Sequence, residues 1–421
     1  MIKYNRIATN ICCFFVLLIF FSKISLSFIA LVPYQYSFLI FQHGMHPYTN
    51  LFIHACLSPI VLFYLIKFKS KNFLKTEYKI LILVLIFILT FQTFFQIAFV
   101  NTDQSPFYQL SGLFMAIGLI GIYGVFIPLF LEKKIFINLI RRASLLIIII
   151  SFLLLFFGFQ TFKGGRFTGV FKHIPHMVSV SVLAYIFYFP NLIKMDKKII
   201  SKLILFILLS LTIFLTATKT SFIAMILTIF LGIFIFPITF KNQFLFKSAF
   251  FLSIFFLIIF LHEPITQTIL DVSTGKTELG YRKAQNGVQS RVEEVERGYD
   301  LFQRSPIFGL GLLYKYFKNG HDDVEVDQYN SFKDPHNIFA SSAVIGGIPL
   351  LVFAVYAVIA MILASFKGLR SDCPHTRLFA LYLICHIPIL IIYHAHFSLG
   401  GIADRFYWLI FGYLGVSKKI S

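Results

Sequence analysis

The sequence predicts an all-α polytopic membrane protein with about twelve transmembrane helices and a large, partly helical loop between the ninth and the tenth. Of its 421 residues, 58% are hydrophobic and 13% are charged, and soluble domains carry about 25% charged residues. The mean hydropathy is +0.83. The apolar residues form continuous Leu, Ile and Phe runs, unlike the alternating strands of an outer-membrane barrel. This composition excludes a soluble globular enzyme, a disordered chain and a disulfide-stapled secreted scaffold.

Each span is predicted as a helix because lipid offers no partner to unpaired backbone groups, and about 20 apolar residues cross the hydrocarbon core. The first is expected to stay as an uncleaved helix rather than a signal peptide, because it lacks a clear cleavage site. We expect helices 1–9 in 1–262, a periplasmic loop domain in 263–335 and helices 10–12 in 336–421. The expected spans lie near 9–32, 50–66, 79–100, 110–131, 143–160, 174–190, 200–218, 221–240, 244–262, 337–365, 377–398 and 401–416.

The net charge of +19 follows this topology. When the spans alternate from a cytoplasmic N-terminus, most of the 37 basic residues fall into cytoplasmic segments, whereas 263–335 contains more acidic than basic residues. The positive-inside rule then predicts that both termini are cytoplasmic. The positive charge is thus interpreted as an orientation signal and an attraction to membrane lipids. We find no nucleic-acid-binding motif and expect no nucleic-acid partner.

A few basic residues break this rule because they lie at the predicted outer face. Arg166 follows the fifth span in a glycine-rich segment, Lys219 lies in the hydroxyl-rich turn between the seventh and eighth spans, and Arg291 lies in the outer loop. Such cations can hold phosphate oxygens, Arg through two hydrogen bonds and Lys as a point charge. The alternatives are helix anchors at headgroup level and, for Arg291, a solvated residue or a salt bridge.

An amphipathic helix is predicted over 282–304 of the outer loop. Its apolar residues recur in steps of four and three, and Pro306 ends the pattern. We expect this stripe to pack on the membrane domain or to lie in the membrane interface. The stripe consists of Val288, Val292, Val295, Tyr299 and Phe302.

The outer loop ends in Asp334-Pro335-His336-Asn337, directly before the tenth span. Pro335 suits the first turn of a helix, and Asp334 is expected to cap that turn. His336 would then lie at the outer mouth of the span, where a helix N-terminus disfavours the charged imidazole and leaves it able to accept a proton. The alternative is a solvated interfacial histidine.

These motifs together resemble the O-antigen ligase and polymerase superfamily of bacterial envelope proteins. Order and topology are similar from about residue 110 to the C-terminus. The family usually has Ser-Arg where this chain has Thr218-Lys219, so the charge is kept but the two-pronged guanidinium is lost. The matching pieces are Arg166-Phe167-Thr168-Gly169-Val170-Phe171, Thr218-Lys219-Thr220-Ser221, Ser290-Arg291, Pro306-x-x-Gly309-x-Gly311, and Pro335-His336-Asn337-Ile338-Phe339 followed by Gly346-Gly347.

The resemblance implies a ligase in the bacterial inner membrane with a periplasmic active site. Such an enzyme moves a glycan from an undecaprenyl-pyrophosphate donor to a sugar hydroxyl of the lipid A core acceptor, with no cofactor and no metal. The alternatives are a polymerase that joins lipid-linked repeats, a ligase that transfers glycan to protein, and a transporter without chemistry. The Pro-His-Asn motif favours the ligase.

The resemblance also implies residue roles. His336 corresponds to the family's general base, and Arg291 and Lys219 correspond to the groups that hold the donor pyrophosphate. Arg166 is expected to help them. Asp334 and Asn337, on either side of the Pro-His pair, are expected to support the site.

Overall fold

The structure is a computed structural model that describes residues 2–24, 74–99, 106–159, 161–163, 166–171, 174–193, 199–216, 218–236, 289–311, 337–392 and 402–416. The helices are α1 (Ile2–Phe21), α2 (Thr76–Phe99), α3 (Pro106–Leu119), α4 (Lys133–Phe156), α5 (Ile174–Leu192), α6 (Ile199–Leu215), α7 (Lys219–Ile235), α8 (Gln289–Arg304), α9 (Ile338–Leu369), α10 (Pro374–Ile392) and α11 (Ile402–Gly415). Helix α3 continues through the π-helical turns Ile120–Phe126 and ends in Ile127–Phe130. Strands β1 (Phe162–Lys163) and β2 (Arg166–Phe167) form an antiparallel hairpin.

The all-α character predicted from the sequence is confirmed in this part of the chain. Four helical stretches are long and apolar enough to cross a membrane: Thr76–Phe99, Gln109–Phe130, Lys133–Phe156 and Ile338–Leu369. Shorter apolar helical stretches are Arg6–Phe21, Ile200–Leu215 and Thr220–Ile235. The count of twelve spans stays a prediction. The spans expected near 50–66 and 244–262, and most of the loop domain 263–335, lie outside the described residues.

Two helix boundaries differ from the predicted ones. Helix α1 ends at Phe21 rather than near 32, because the polar pair Ser22-Lys23 forms a turn and the Ser22 hydroxyl donates back to a carbonyl of α1 at 3.3 Å. Helix α4 begins at Lys133 rather than near 143. The first turns of α4 contain basic residues. A prediction from hydropathy leaves such residues out of the span, although the backbone there is already helical.

The core of the bundle lies around α5, α10 and α11, whose side chains are buried on nearly all sides. Helix α10 packs against α5, α7, α9 and α11. The peripheral helices α2, α4, α6 and α9 instead expose large apolar side chains, such as Phe87, Phe156, Ile200 and Leu363. Such an apolar exterior is what a lipid environment requires, since water would penalise it.

One end of the bundle collects basic side chains. Lys75 Nζ donates to a carbonyl in the last turn of α11 at 2.6 Å, and Lys133 Nζ donates to Thr376 Oγ1 at 3.0 Å. Arg377 Nη1 donates to the last carbonyl of α7 at 3.1 Å. Burial lowers the pKa of Lys75, and the charge of Lys367 lowers it further. The starts of α2, α4 and α10 therefore share one end with the ends of α7, α9 and α11.

Candidate functional site

The opposite end of the bundle holds the starts of α5, α7 and α9 and the end of α6. Strand β2 packs against both α5 and α6, so Arg166 lies at this end together with Lys219, the first residue of α7. The backbone of Arg291 lies in the first turn of α8. His336 and Asp334 lie outside the described residues, so their roles stay predictions.

Arg166 lies in a short hairpin, half-buried, with Lys163 as its cross-strand neighbour. The buried ring of Phe167 anchors the hairpin and lies 5.3 Å, centroid to centroid, from Phe152 of α4. We did not predict this hairpin from the sequence. The signal was present, because Gly164-Gly165 is a two-residue connection of the kind that tight hairpins favour.

An open groove of about 480 Å³ lies beside this hairpin. All of its lining side chains are apolar and come from α4 and α6: Ile149, Phe152, Leu153, Leu155, Phe156 and Leu208. Phe152 belongs to this lining and also contacts Phe167, the residue after Arg166. The hairpin that carries Arg166 therefore meets the lining of the apolar groove through the contact of Phe167 with Phe152.

The turn between α6 and α7 contains buried hydroxyls that bond to one another. Thr216 Oγ1 lies 3.2 Å from Thr218 Oγ1 and 3.3 Å from Ser221 Oγ. Ser221 Oγ also donates to the Thr218 carbonyl at 2.8 Å. These hydroxyls therefore stabilise the turn through hydrogen bonds to one another. Thr220 Oγ1 is buried without a hydrogen-bond partner among the described residues, directly after Lys219.

The N-cap of α9 is Asn337. Its Oδ1 accepts hydrogen bonds from the backbone N–H groups of the second and third helical residues, at 2.8 and 3.2 Å. The predicted cap at Asp334, with Pro335 in the first turn, is therefore wrong. Asn337 has an extended backbone (φ −143°, ψ 131°), so the helix begins after this residue. Asn is as good a capping residue as Asp. His336 directly precedes the cap in sequence.

Helix α9 breaks at Gly346-Gly347, and the segment that follows α8 fills the break. The break leaves carbonyls of the first part of α9 and an N–H of the second part without helical partners. Three backbone hydrogen bonds satisfy them: Leu310 N to Val344 O at 2.7 Å, Gly311 N to Ile345 O at 3.0 Å, and Ile348 N to Pro306 O at 2.8 Å. We call residues 305–311 and 344–348 together the interlock.

The interlock requires glycine at two positions. Gly309 has a φ of +67° and Gly347 a φ of +64°, a conformation that other L-residues rarely adopt. A Cβ on Gly309 would overlap the backbone of α9 at the break, and a Cβ on Gly347 would overlap the carbonyl of Ile307. Two of the motifs that resemble the family, Pro306-x-x-Gly309-x-Gly311 and Gly346-Gly347, are therefore in direct contact in the interlock.

Two buried glutamines of α2 contact the interlock. Gln92 Nε2 donates to the Gly346 carbonyl. Gln96 Nε2 donates to the carbonyls of Phe308, at 2.7 Å, and Gly309, at 3.2 Å. We missed both residues from the sequence. A signal was available, because two carboxamides one helical turn apart are conspicuous within an apolar span.

Helix α8 confirms the Gln289–Arg304 part of the helix predicted over 282–304, whereas 282–288 lies outside the described residues. Its buried face differs from the predicted apolar stripe. Val295 and Tyr299 of the predicted stripe are 46% and 58% exposed, whereas Leu301 is 1% exposed. Gly298 is buried too, on the helix that packs against α9. Val295 and Tyr299 therefore do not pack on the described part of the protein, because the small Gly298 brings an adjacent face into contact, and the membrane interface stays the prediction for these two residues. Arg291 precedes Gly298 by two helical turns, so its backbone lies on the same side of α8.

Arg405, another basic residue at the predicted outer face, is only 1% exposed in the structure. Its Nη1 donates to Ser22 Oγ at 3.3 Å, and its guanidinium carbon lies 5.8 Å from the ring centre of Tyr123. Ile24, two residues after Ser22, pairs with Phe171 beyond β2. Hydropathy alone gives no sign that this guanidinium is enclosed.

Residues 204–355 match a family model described as O-antigen ligase. This match supports the O-antigen ligase family. It includes Lys219, Arg291 and His336, whereas Arg166 precedes the matched segment. The comparison with curated proteins finds no match.

The matched model covers about a third of the chain and is described as O-antigen ligase, and ligases of this kind are glycosyltransferase-like enzymes that act on lipid-linked glycans. Such substrates are amphiphiles with a polar head and an apolar chain. The cationic hairpin beside the apolar groove has matching chemistry. Among the described residues, no three His, Cys, Asp or Glu side chains lie together as metal ligands would.

Proposed function

We propose that the chain is an O-antigen ligase that transfers a glycan from undecaprenyl pyrophosphate to a sugar hydroxyl of lipid A core. The observation that carries the proposal is the contiguity of the Arg166 hairpin with the apolar groove. The pyrophosphate would lie at Arg166, Lys219 and Arg291, and the polyprenyl chain would follow the groove. The family match supports lipid-linked glycans as the substrate class.

The site belongs to the periplasmic face of the bacterial inner membrane in this proposal. The end of the bundle with Lys75, Lys133 and Arg377 is cytoplasmic by the positive-inside rule. Arg166 and Lys219 lie at the other end. Both termini would then be cytoplasmic, and a fixed cation at the periplasmic end has a function other than orientation.

In the proposed step, the acceptor hydroxyl oxygen attacks the anomeric carbon while the bond from that carbon to the pyrophosphate oxygen breaks. His336 takes the hydroxyl proton as general base. Undecaprenyl pyrophosphate leaves with the bonding electron pair, and Arg291 and Lys219, with Arg166, stabilise its negative charge. Attack opposite the leaving group inverts the anomeric configuration. The step needs neither a cofactor nor a metal.

The start of α9 supports the role of His336. Because Asn337 caps the helix through two backbone hydrogen bonds, the chain is fixed one residue after the histidine. The positive end of the helix dipole disfavours a charged imidazole. His336 would therefore be neutral between turnovers and ready to accept a proton.

A deletion strain tests the ligase function. We expect lipid A core without glycan on a lipopolysaccharide gel, while long glycans accumulate on the undecaprenyl carrier measured beside it. The wild-type gene should restore the bands of glycan-bearing lipopolysaccharide on the gel, and the His336→Ala gene should not. Cores that carry a single short repeat would identify a polymerase instead and would overturn the ligase proposal.

A further inference from the structure

The two glutamines of α2 hold both halves of the interlock at once. Gln96 donates to the segment that follows α8, through Phe308 and Gly309, and Gln92 donates to the break of α9, through Gly346. Gln92 is 3% exposed and Gln96 is 2% exposed. A buried carboxamide in an apolar span is unfavourable unless it is hydrogen-bonded, so these contacts account for the presence of both residues.

The interlock is the point where the two predicted halves of the active site are connected. Arg291 lies on α8, which ends at Arg304, just before the interlock. His336 lies directly before Asn337, the cap of the first part of α9, which ends at the break. The orientation of α8 relative to this short helix is therefore set by the contacts of residues 305–311 with residues 344–348.

We propose that Gln96 and Gln92 are positioning residues for the glycosyl transfer: they fix α8, which carries Arg291, relative to the first part of α9, which follows His336 in sequence. This inference rests on the proposed function. Neither glutamine is proposed to touch substrate. Both lie on α2, outside the segment 204–355 that the family model matches.

The physical basis is the donor capacity of the carboxamide. The carbonyls of Phe308 and Gly309 face Gln96 and accept its N–H groups. A methionine of similar length fills the space but donates nothing, which leaves these buried carbonyls without this donor. A protonated glutamate can still donate one hydrogen bond. The variants Gln96→Met and Gln96→Glu therefore separate the hydrogen bond from the volume of the side chain.

The test compares full-length variants in proteoliposomes with a polyprenyl-pyrophosphate glycan donor and a lipid A core acceptor. We expect Gln96→Met and Gln92→Met to lower kcat at least tenfold. Gln96→Glu should recover most of the wild-type kcat under mildly acidic conditions. Thr93→Val is the matched control, because Thr93 is buried on the same helix and, among the described residues, its hydroxyl donates to the Leu89 carbonyl of that helix. Its kcat should stay within twofold of wild type.

A distance measurement tests the positioning role without any turnover. Spin labels replace Tyr299 on α8, which is 58% exposed, and Ala340 in the first part of α9, which is partly exposed. We expect one narrow distance distribution in the wild type and in Thr93→Val, and a broadened one in Gln96→Met and Gln92→Met.

Unchanged distance distributions in both glutamine variants would overturn the inference, and so would a loss of kcat without any change in distance. If the wild-type protein transfers no glycan, the proposed function fails. The distance distributions then still decide whether the glutamines position α8. If Gln96→Met does not fold, Gln92→Met and Gln96→Glu are measured in its place, with the same criteria.

Discussion

At the residue scale, the cations of the site differ in how the chain holds them. Arg166 is half-buried and fixed by a hairpin whose neighbouring residue, Phe167, is fully buried. Lys219 begins α7 after a turn of mutually bonded hydroxyls. The backbone of Arg291 lies two helical turns before the buried Gly298 of α8, a helix that packs against α9. Each cation is thus attached to a rigid element, as charge stabilisation during glycan transfer requires.

We predict that Arg291→Ala and Lys219→Ala each lower kcat/KM by about 10- to 100-fold, because a hydrogen bond to a charged group contributes about 1.5–3 kcal/mol. Initial rates over a range of donor concentrations measure this effect. Lys219→Arg should keep at least half of the activity, since the charge is retained. Arg304→Ala is the control on α8, where Arg304 is exposed. If Arg304→Ala lowered kcat/KM as much as Arg291→Ala does, the result would contradict a specific role for Arg291.

The sequence singles out these cations because they would break the positive-inside rule, and their side of the membrane stays a prediction. It does not predict the cap of α9, because Asp334 and Asn337 are both good capping residues and the choice depends on where the backbone turns helical. It also does not predict the burial of Arg405. That burial depends on contacts with α1 and with the π-helical turns, which are distant in sequence.

At the element scale, the interlock connects α8 to α9 through backbone hydrogen bonds and two glycines. We predict that Gly347→Ala lowers the stability by about 1–3 kcal/mol, because its φ of +64° is strained for alanine. The added Cβ also meets the Ile307 carbonyl. Thermal unfolding in detergent measures the difference. Gly121→Ala is the control, since a Cβ there has open space; equal unfolding midpoints for the two variants would contradict the prediction.

The groove beside the Arg166 hairpin is the second element with a testable role. We predict that Leu153→Trp fills the groove and raises the KM for a long-chain polyprenyl donor severalfold, while a short-chain donor is unaffected. Leu146→Trp is the control, because Leu146 is 52% exposed on the same helix and lies outside the lining. If both donors respond equally to Leu153→Trp, the chain does not lie in this groove.

At the scale of the whole molecule, the sidedness of the bundle can be tested with Cys373. This cysteine is exposed at the end that we assign to the cytoplasm. Partial burial raises its pKa, but hydrogen bonds from the first turn of α10 and the charge of Lys133 outweigh this effect and lower the pKa of the thiol. The reactive thiolate is therefore more abundant than in a free cysteine.

We predict that an impermeant maleimide labels Cys373 only after the cytoplasmic membrane has been permeabilised. Arg304→Cys, in a background without the native cysteines, should instead be labelled in intact spheroplasts. Mass spectrometry of the labelled protein gives the yield at each site. Labelling of Cys373 in intact spheroplasts would reverse the proposed topology and place the site on the wrong side for lipid A core.

Much of the bundle follows from the sequence alone, because the length and hydropathy of a span are local properties. The helices α2, α5, α6, α7 and α9 begin and end close to the predicted limits. The interlock could not be predicted, because it requires residues 305–311 to meet the break at Gly346-Gly347, which is distant in sequence. The buried side of α8 could not be predicted either, since it depends on its partner α9.

Glycan transfer by the purified protein is the most direct test of the central claim. Wild-type protein in proteoliposomes, supplied with undecaprenyl-pyrophosphate-linked glycan and lipid A core and no nucleotide or metal, should form glycosylated core with an inverted anomeric linkage. His336→Ala should form none, although it still binds the donor. Normal turnover by His336→Ala, or no product from the wild-type protein, would contradict the proposed ligase chemistry.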